Sequence, residues 1–426
     1  MNTLKHTGWL TILAITALGL SATAVQATVT DDAEVVIEWN QILQANIPAT
    51  AGLFGPRHYA ILHIAMFDAI NSIERNYQRY HVQVPANPAA SAEAAAAQTA
   101  HDVLVALIPT AEATFDTALQ RRLAKIHPWR GTQGAAVGKR VARAILDWRT
   151  GDGAEQPNIP YLPPALPGLW QPAVPGQVAA FVQFGNVEPF ALLTPTLHLP
   201  DPPPMLNSAE YAADLNQVKE VGSINSGART ADQTLIAKLF GGAGYRPAFP
   251  FPVWNNVARD VARNQHLSLI KSARLFALLG VSINDGLQTS HSSKHVYGLW
   301  RPITAIQRAG EDMNDQTTAD PGWAPLIPTP PYPSHPSNLT CVGASAARVL
   351  ARFFHTDALP FTVTWEGTGG NANVTRSYSS FSQLAEEGAI SRVYGGVHFL
   401  FELTSSHESC SKVADHVVDR YMRRRH

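Results

Sequence analysis

Apolar positions recur three and four apart over long stretches of this chain, and the first clear run covers residues 57–71. There Ile61, Ile64, Ala65, Phe67 and Ile70 fall on one helical face. Gly55-Pro56 just ahead of them suits a helix entrance. His63 and Asp68 interrupt the face and read as polar groups satisfied inside a core. The same spacing predicts helices near 90–107, 111–126 and 133–149, with Ala-rich and Leu/Val-rich faces that allow close packing. Others are predicted over 208–222, from Thr230, where Thr-Ala-Asp-Gln has the form of a capping box, and through most of 254–309 with a break near Arg301-Pro302. A β-prone patch covers 361–365, and two closing helical stretches run from about 380 to 425, the basic run Arg423-Arg424-Arg425 reading as a solvated helix end. No internal repeat of fixed period and no heptad pattern is present.

Two segments break the periodicity. Prolines recur through 156–206 and again through 321–338. Proline removes a backbone donor and restricts the residue before it, so both segments read as extended connections. Trp170, Phe181 and Phe184 predict that the first packs onto the surface as a long crossover between two helical halves, 28–206 and 207–426. The expected class is therefore all-α.

The start of the chain differs from everything after it. An apolar, uncharged run over 9–24 follows a basic opening and ends at Val25-Gln26-Ala27. That order reads as a secretory signal peptide, residues 1–27, cleaved after Ala27; the alternative is a membrane anchor. The expectation is a secreted or periplasmic protein with no stable membrane anchor after cleavage. The formal net charge of −1 gives no argument for nucleic acid as a partner. In an exported protein, Cys341 and Cys410 can form a disulfide or remain two buried thiols, and sequence separation does not decide between them.

Three segments collect the polar groups that could carry chemistry. Lys294 and Arg301 are seven apart, so on one helix they share a face. Two cations there repel unless an anion lies between them or solvent screens them. Val296, Leu299, Trp300 and Ile303 around them are expected to be buried, which argues against a solvated basic face. Ser337, after Pro336 and ahead of an apolar run, looks like an N-cap, and a helix N-terminus favours an anion. Arg392 precedes Gly396 by four and His398 by six, and Glu402 lies one helical turn beyond His398. Gly396 lets a ligand or backbone come close.

Taken in order, Lys-x6-Arg-Pro, then Pro-Ser, then Ser-Arg-x3-Gly-x-His resembles the pattern of the vanadium haloperoxidases and type 2 phosphatidic acid phosphatases. The segments 60–71, 229–234, 300–306 and 379–387 resemble exported bacterial members. The resemblance implies two helical bundles with long Pro-rich connections and the site in the second. Carried onto this chain, it implies that Lys294, Arg301 and Arg392 hold the oxygens of vanadate or phosphate, with Ser337 and the Asn338 N–H completing the cradle and Gly396 beside it. His398 is then the axial ligand of vanadium, or the nucleophile of a phosphatase. Tyr332 falls where the family places a residue near the halide, and Glu402 replaces an aspartate.

One motif departs from the family. Where it has Gly-His after Pro-Ser, this chain has Asn338-Leu339. The missing histidine is the family's acid/base, and such groups contribute roughly 10²–10⁴-fold. His335, His291 and His295 are the nearby alternatives; the plainer reading of each is a loop or surface histidine. Three functions stay open. The first is a haloperoxidase using halide and peroxide; the second is an acid phosphatase acting on a phosphate ester through phospho-His398. The third is a diverged oxyanion- or diphosphate-binding member with altered chemistry. A homodimer is left open.

Overall fold

The computed structural model describes residues 33–425, so the leader reading of residues 1–27 lies outside the described residues. Five helices form the first group: α1 (Glu34–Asn46), α2 (Gly55–Glu74), α3 (Ala92–Leu107), α4 (Glu112–Leu123) and α5 (Pro128–Arg149). The second group is α6 (Ala209–Val221), α7 (Ala231–Gly241), α8 (Pro250–Asn264), α9 (Leu269–Tyr297), α10 (Pro302–Gln307), α11 (Asn338–Phe354), α12 (Phe381–Tyr394) and α13 (Leu400–Arg420). The predicted helices are present, and α1 joins them as one the periodicity had not singled out. The capping box forms at Thr230, whose side chain accepts from the Gln233 N–H. Gly138 explains the closeness of α5 to the Ala-rich α3: a Cβ there would meet the Ala95 carbonyl oxygen at 2.6 Å.

The all-α class holds for the main architecture, with one small sheet added. A small antiparallel sheet, β1 (Tyr245–Arg246), β2 (Phe361–Gly367) and β3 (Val374–Tyr378), flanks the second group. Phe361 pairs with Tyr378 and Trp365 with Val374. Phe361, Val363 and Trp365 point into the core at every second position. The β-prone patch marked β2; its partners carried no comparable signal. At the end of the chain α13 stops at Arg420, so the basic run is not a helix end, and Arg424 instead bridges to Tyr77.

One continuous apolar cluster runs through α2, α3 and α9 into α11 and α13. The centre of that core is α9, which is buried along most of its 29 residues. Its second half carries buried Asn284, Asp285, Gln288, Ser290, His291 and Lys294. Each such group costs folding energy unless it finds a partner. Asp285 finds the crossover: it accepts the N–H groups of Phe190, Ala191 and Leu192 at 2.9, 2.7 and 3.2 Å. Trp170 and Phe184 are buried, so the crossover is packed down as its aromatics predict. Cys341 and Cys410 are joined in a disulfide, which ties α11 to α13. Among the described residues no helix is long and apolar enough to cross a membrane.

Candidate oxyanion site

The site forms where the ends of four elements meet a Pro-rich loop. Lys294 lies in the last turn of α9, which stops at Gly298 in the left-handed conformation, φ 61°. Arg301 follows as the residue capping α10. The two cations therefore do not share one helical face, contrary to the seven-residue spacing argument; a turn brings them together. Both are fully buried, although Val296 between them is exposed. Their target is the loop 332–337. The Lys294 ammonium donates to the Ser334 carbonyl at 2.6 Å and to that of Pro336. Arg301 Nε donates to the Tyr332 carbonyl at 2.8 Å. Both cations also lie over the Tyr332 ring, 5.4 and 5.1 Å from its centroid.

From the other side come Arg392, in the last turn of α12, and His398, in the turn before α13. His398 Nδ1 meets Glu402 Oε2 at 2.6 Å, and Arg301 Nη1 lies 3.1 Å from His398 Nε2. The same Glu402 oxygen accepts from the Phe399 N–H and the Ser334 hydroxyl. This arrangement fixes the tautomer. Nδ1 donates to the carboxylate, and Nε2 presents a lone pair to the cations. Burial, reinforced by Arg301, Lys294 and Arg392, holds His398 well below the ordinary histidine range, so it is neutral. Burial pushes Glu402 up to about 7 against the pull of Lys294 and Arg301. It also lowers Lys294, with Arg301 adding repulsion, and brings Arg392 down to about 10.

Two donors in this cluster have no partner: Arg301 Nη2 and Arg392 Nε. A buried guanidinium with an unused N–H is costly, and three cations face a single carboxylate. The deficit is one of negative charge and of acceptor oxygens. A tetrahedral or trigonal oxyanion supplies both, and arginine forks match its shape.

Ser337 caps α11; its hydroxyl lies 3.4 Å from the Thr340 N–H and takes the Thr340 hydroxyl at 2.9 Å. Its own N–H donates to Ser406 at 2.8 Å. These bonds employ Ser337 in setting the helix terminus that presents Asn338. The Asn338 side chain is held by the Ser290 hydroxyl at 2.7 Å and lies 3.4 Å from His291 Nδ1. Gly396, expected beside the anion, packs against backbone on its Cβ side. Its N–H donates to Val393, and at φ 76° its α-carbon packs on the Gly222 carbonyl and Pro325. The glycine therefore allows a close backbone approach to Gly222 and Pro325.

The three alternative histidines separate. His335 is fully buried but faces another hollow, with Nε2 2.8 Å from the Asp201 carbonyl and burial lowering it to about 4. His295 is half-buried, bonded to the His291 carbonyl and edge-on to Tyr161 in the crossover. His291 is not a surface group: it is fully buried behind Asn338, its ring edge-on to Tyr332 at 5.1 Å.

A cavity of 230 Å³ opens over the cluster, with Arg392, His398, Tyr332 and Asn338 on its polar side. Leu339 lines it, where the acid/base histidine was expected. Sequence reasoning missed two features. Ser334, which steadies Glu402, stands in the quoted Pro-rich motif but without a role. The apolar walls, including Leu53, Phe240, Phe249 and Phe251, come from segments far from any motif.

Residues 274–426, which include every candidate site residue, match the family model of the VCPO second helical-bundle domain. Vanadium chloroperoxidase from Curvularia inaequalis is 22% identical over 270 residues, covering 49% of this chain and 44% of that enzyme. The chain therefore spans less than half the length of this curated relative. Two solved structures cover nearly the whole chain. A bacterial vanadium-dependent iodoperoxidase superposes with a TM-score of 0.76 at 22% identity, covering 92% of this chain and 97% of that one. A holo-type bacterial vanadium-dependent chloroperoxidase gives 0.70 at 15% identity, covering 89% and 97%. Residues 274–426 thus resemble the second helical bundle of the vanadium chloroperoxidases, and the chain as a whole has the fold of these bacterial vanadium-dependent haloperoxidases.

Proposed function

We propose that the site holds vanadate and serves the oxidation of halide by hydrogen peroxide. The observation that carries this reading is the neutral His398, locked through Nδ1 to Glu402 and presenting Nε2 among three buried cations. That lone pair would bond the central atom, while Arg301 Nη2 and Arg392 Nε, which lack other partners, would hold its oxygens. Lys294 adds charge, and the Asn338 N–H at the start of α11 adds a donor. Vanadate, when bound, supplies the activation of peroxide toward halide. The protein's own part is to bind the anion, neutralise it and keep His398 unprotonated. With the leader reading, the enzyme is exported, where small-molecule halide and peroxide reach it.

A second reading has one observation in its favour. Leu339 cannot donate or accept a proton, so the clamp can hold phosphate or vanadate with little turnover. Purified protein loaded with orthovanadate and given peroxide with iodide or bromide separates the two. Halogenation of a dye, lost in His398→Ala, supports the first reading. Vanadate binding without halogenation contradicts it. Phosphate release from an aryl phosphate would assign the site to phosphatase chemistry through phospho-His398.

A further inference from the structure

The hollow that His335 faces shares no lining residue with the cavity over the cluster. It encloses 350 Å³ between the end of the crossover, the start of α6 and the first turns of α13. Three exposed carboxylates stand along it, Asp201, Glu210 and Glu408. None of them forms an ion pair among the described residues. A fourth, Asp214, accepts the Phe401 N–H at 2.6 Å, and Glu210 repels its charge. His335 is fully buried in the wall. Its Nε2 meets the Asp201 carbonyl, which can only accept, so Nε2 carries the proton and Nδ1 a lone pair. That lone pair has no partner. Burial lowers the ring to about 4, which keeps it neutral and leaves the lone pair free. The Phe401 ring lies 6.0 Å from that of His335 and stacks on Phe399 at 5.2 Å. Ser405, whose hydroxyl donates to the Phe401 carbonyl at 3.1 Å, adds an oxygen to the lining.

We propose that this hollow binds a small organic cation bearing N–H groups, a primary ammonium or a guanidinium. An N–H of the ligand donates to His335 Nδ1, the carboxylates hold its charge, and the Phe401 ring adds cation–π attraction. A metal ion is the poorer fit: among the described residues no group of three or more His, Cys, Asp or Glu could hold one. The volume is that of a site for a small organic molecule. The inference does not depend on the chemistry assigned to the oxyanion site, although the two share a segment. The carbonyls of Ser334 and Pro336 hold Lys294, and the residue between them faces the hollow.

The test titrates agmatine, which carries both an ammonium and a guanidinium, into the purified protein by calorimetry at low ionic strength. Tetramethylammonium and calcium chloride serve as comparisons. One agmatine per chain is expected. Tetramethylammonium has the charge and no N–H, and should bind about tenfold more weakly, the worth of a hydrogen bond to a charged group. Glu408→Gln and Glu210→Gln, at exposed positions that folding tolerates, should each weaken agmatine about threefold. His335→Phe should weaken it about tenfold by removing the lone pair. No saturable agmatine binding overturns the inference, as does binding that both glutamine variants leave unchanged. Tetramethylammonium binding as tightly as agmatine, or calcium displacing it, also overturns it.

Discussion

Two buried arginine clusters in this molecule are built on opposite plans. Between α1 and α8, Arg259 is buried, and its guanidinium is met by amide oxygens of Asn40, Gln44 and Asn256. Asn40 in turn donates to Asn255 at 2.7 Å and to His63 Nε2 at 2.8 Å. At the ends of α10 and α12, Arg301 and Arg392 are as deeply buried, yet each keeps an N–H without a partner. Burial is shared; satisfaction of the guanidinium is not, although His63 Nδ1 at the edge of the first cluster is also unpartnered. A closed cluster organises a core, whereas an open one stores a demand for an acceptor that only a ligand meets.

The largest expected effect separates the two clusters by ligand. Arg301→Ala should weaken orthovanadate binding about 10³-fold in calorimetry, since it removes a buried charge-assisted contact. Arg259→Leu should change that affinity by less than about twofold, because its cluster offers the anion nothing. An equal loss in both would erase the distinction.

Next is acid stability in the closed cluster. Burial holds His63 down at about 3, against an ordinary 6.5. A group depressed in the folded state contributes stability that is complete above its unfolded value and lost as pH falls toward the folded one. Unfolded chains therefore gain a proton below about pH 6.5 that the native state refuses. That costs about 3 kcal/mol by pH 4. His63→Gln keeps an acceptor for Asn40, and denaturant titration should show its stability falling less between pH 7 and 4 by about that amount.

Leu339→His probes the open side of the site. Halogenation by the vanadate-loaded variant should rise about 10²-fold if the missing proton donor limits the reaction. No rise would show that Leu339 is not the limiting change.

Smaller effects concern the apo protein. Arg259→Leu should lower stability by about 2 kcal/mol, because it strands the amide oxygens of Asn40 and Gln44. Arg392→Met should raise apo stability by about 1 kcal/mol by removing a buried cation that has too few partners. Opposite signs in chemical denaturation would be direct evidence for the contrast, and equal losses would count against it.

Much of this was legible in the sequence because it depends on local order. Helical spacing marked α2 to α13, and Thr230 and Ser337 stood out as caps. The Lys294, Arg301, Arg392 and His398 motifs named the cations and the histidine that the fold assembles. What stayed hidden depends on long-range packing. Lys294 and Arg301 looked like one helical face because the left-handed stop at Gly298 is a three-dimensional event. His291 read as exposed because nothing local reveals that α9 is enclosed by α2, α11 and α13. The close approach of Gly396 to Gly222 was also hidden, since a glycine beside backbone and a glycine beside an anion are written alike. The apolar wall drew on Leu53 and Phe249, which no spacing connects to His398.

The most direct measurement is a calorimetric titration of the purified protein with orthovanadate, repeated with Arg392→Met. One anion per chain, displaced by inorganic phosphate and weakened at least about 10²-fold in the variant, is the predicted outcome. No binding, or binding that Arg392→Met leaves unchanged, would contradict the existence of an oxyanion site at these three cations.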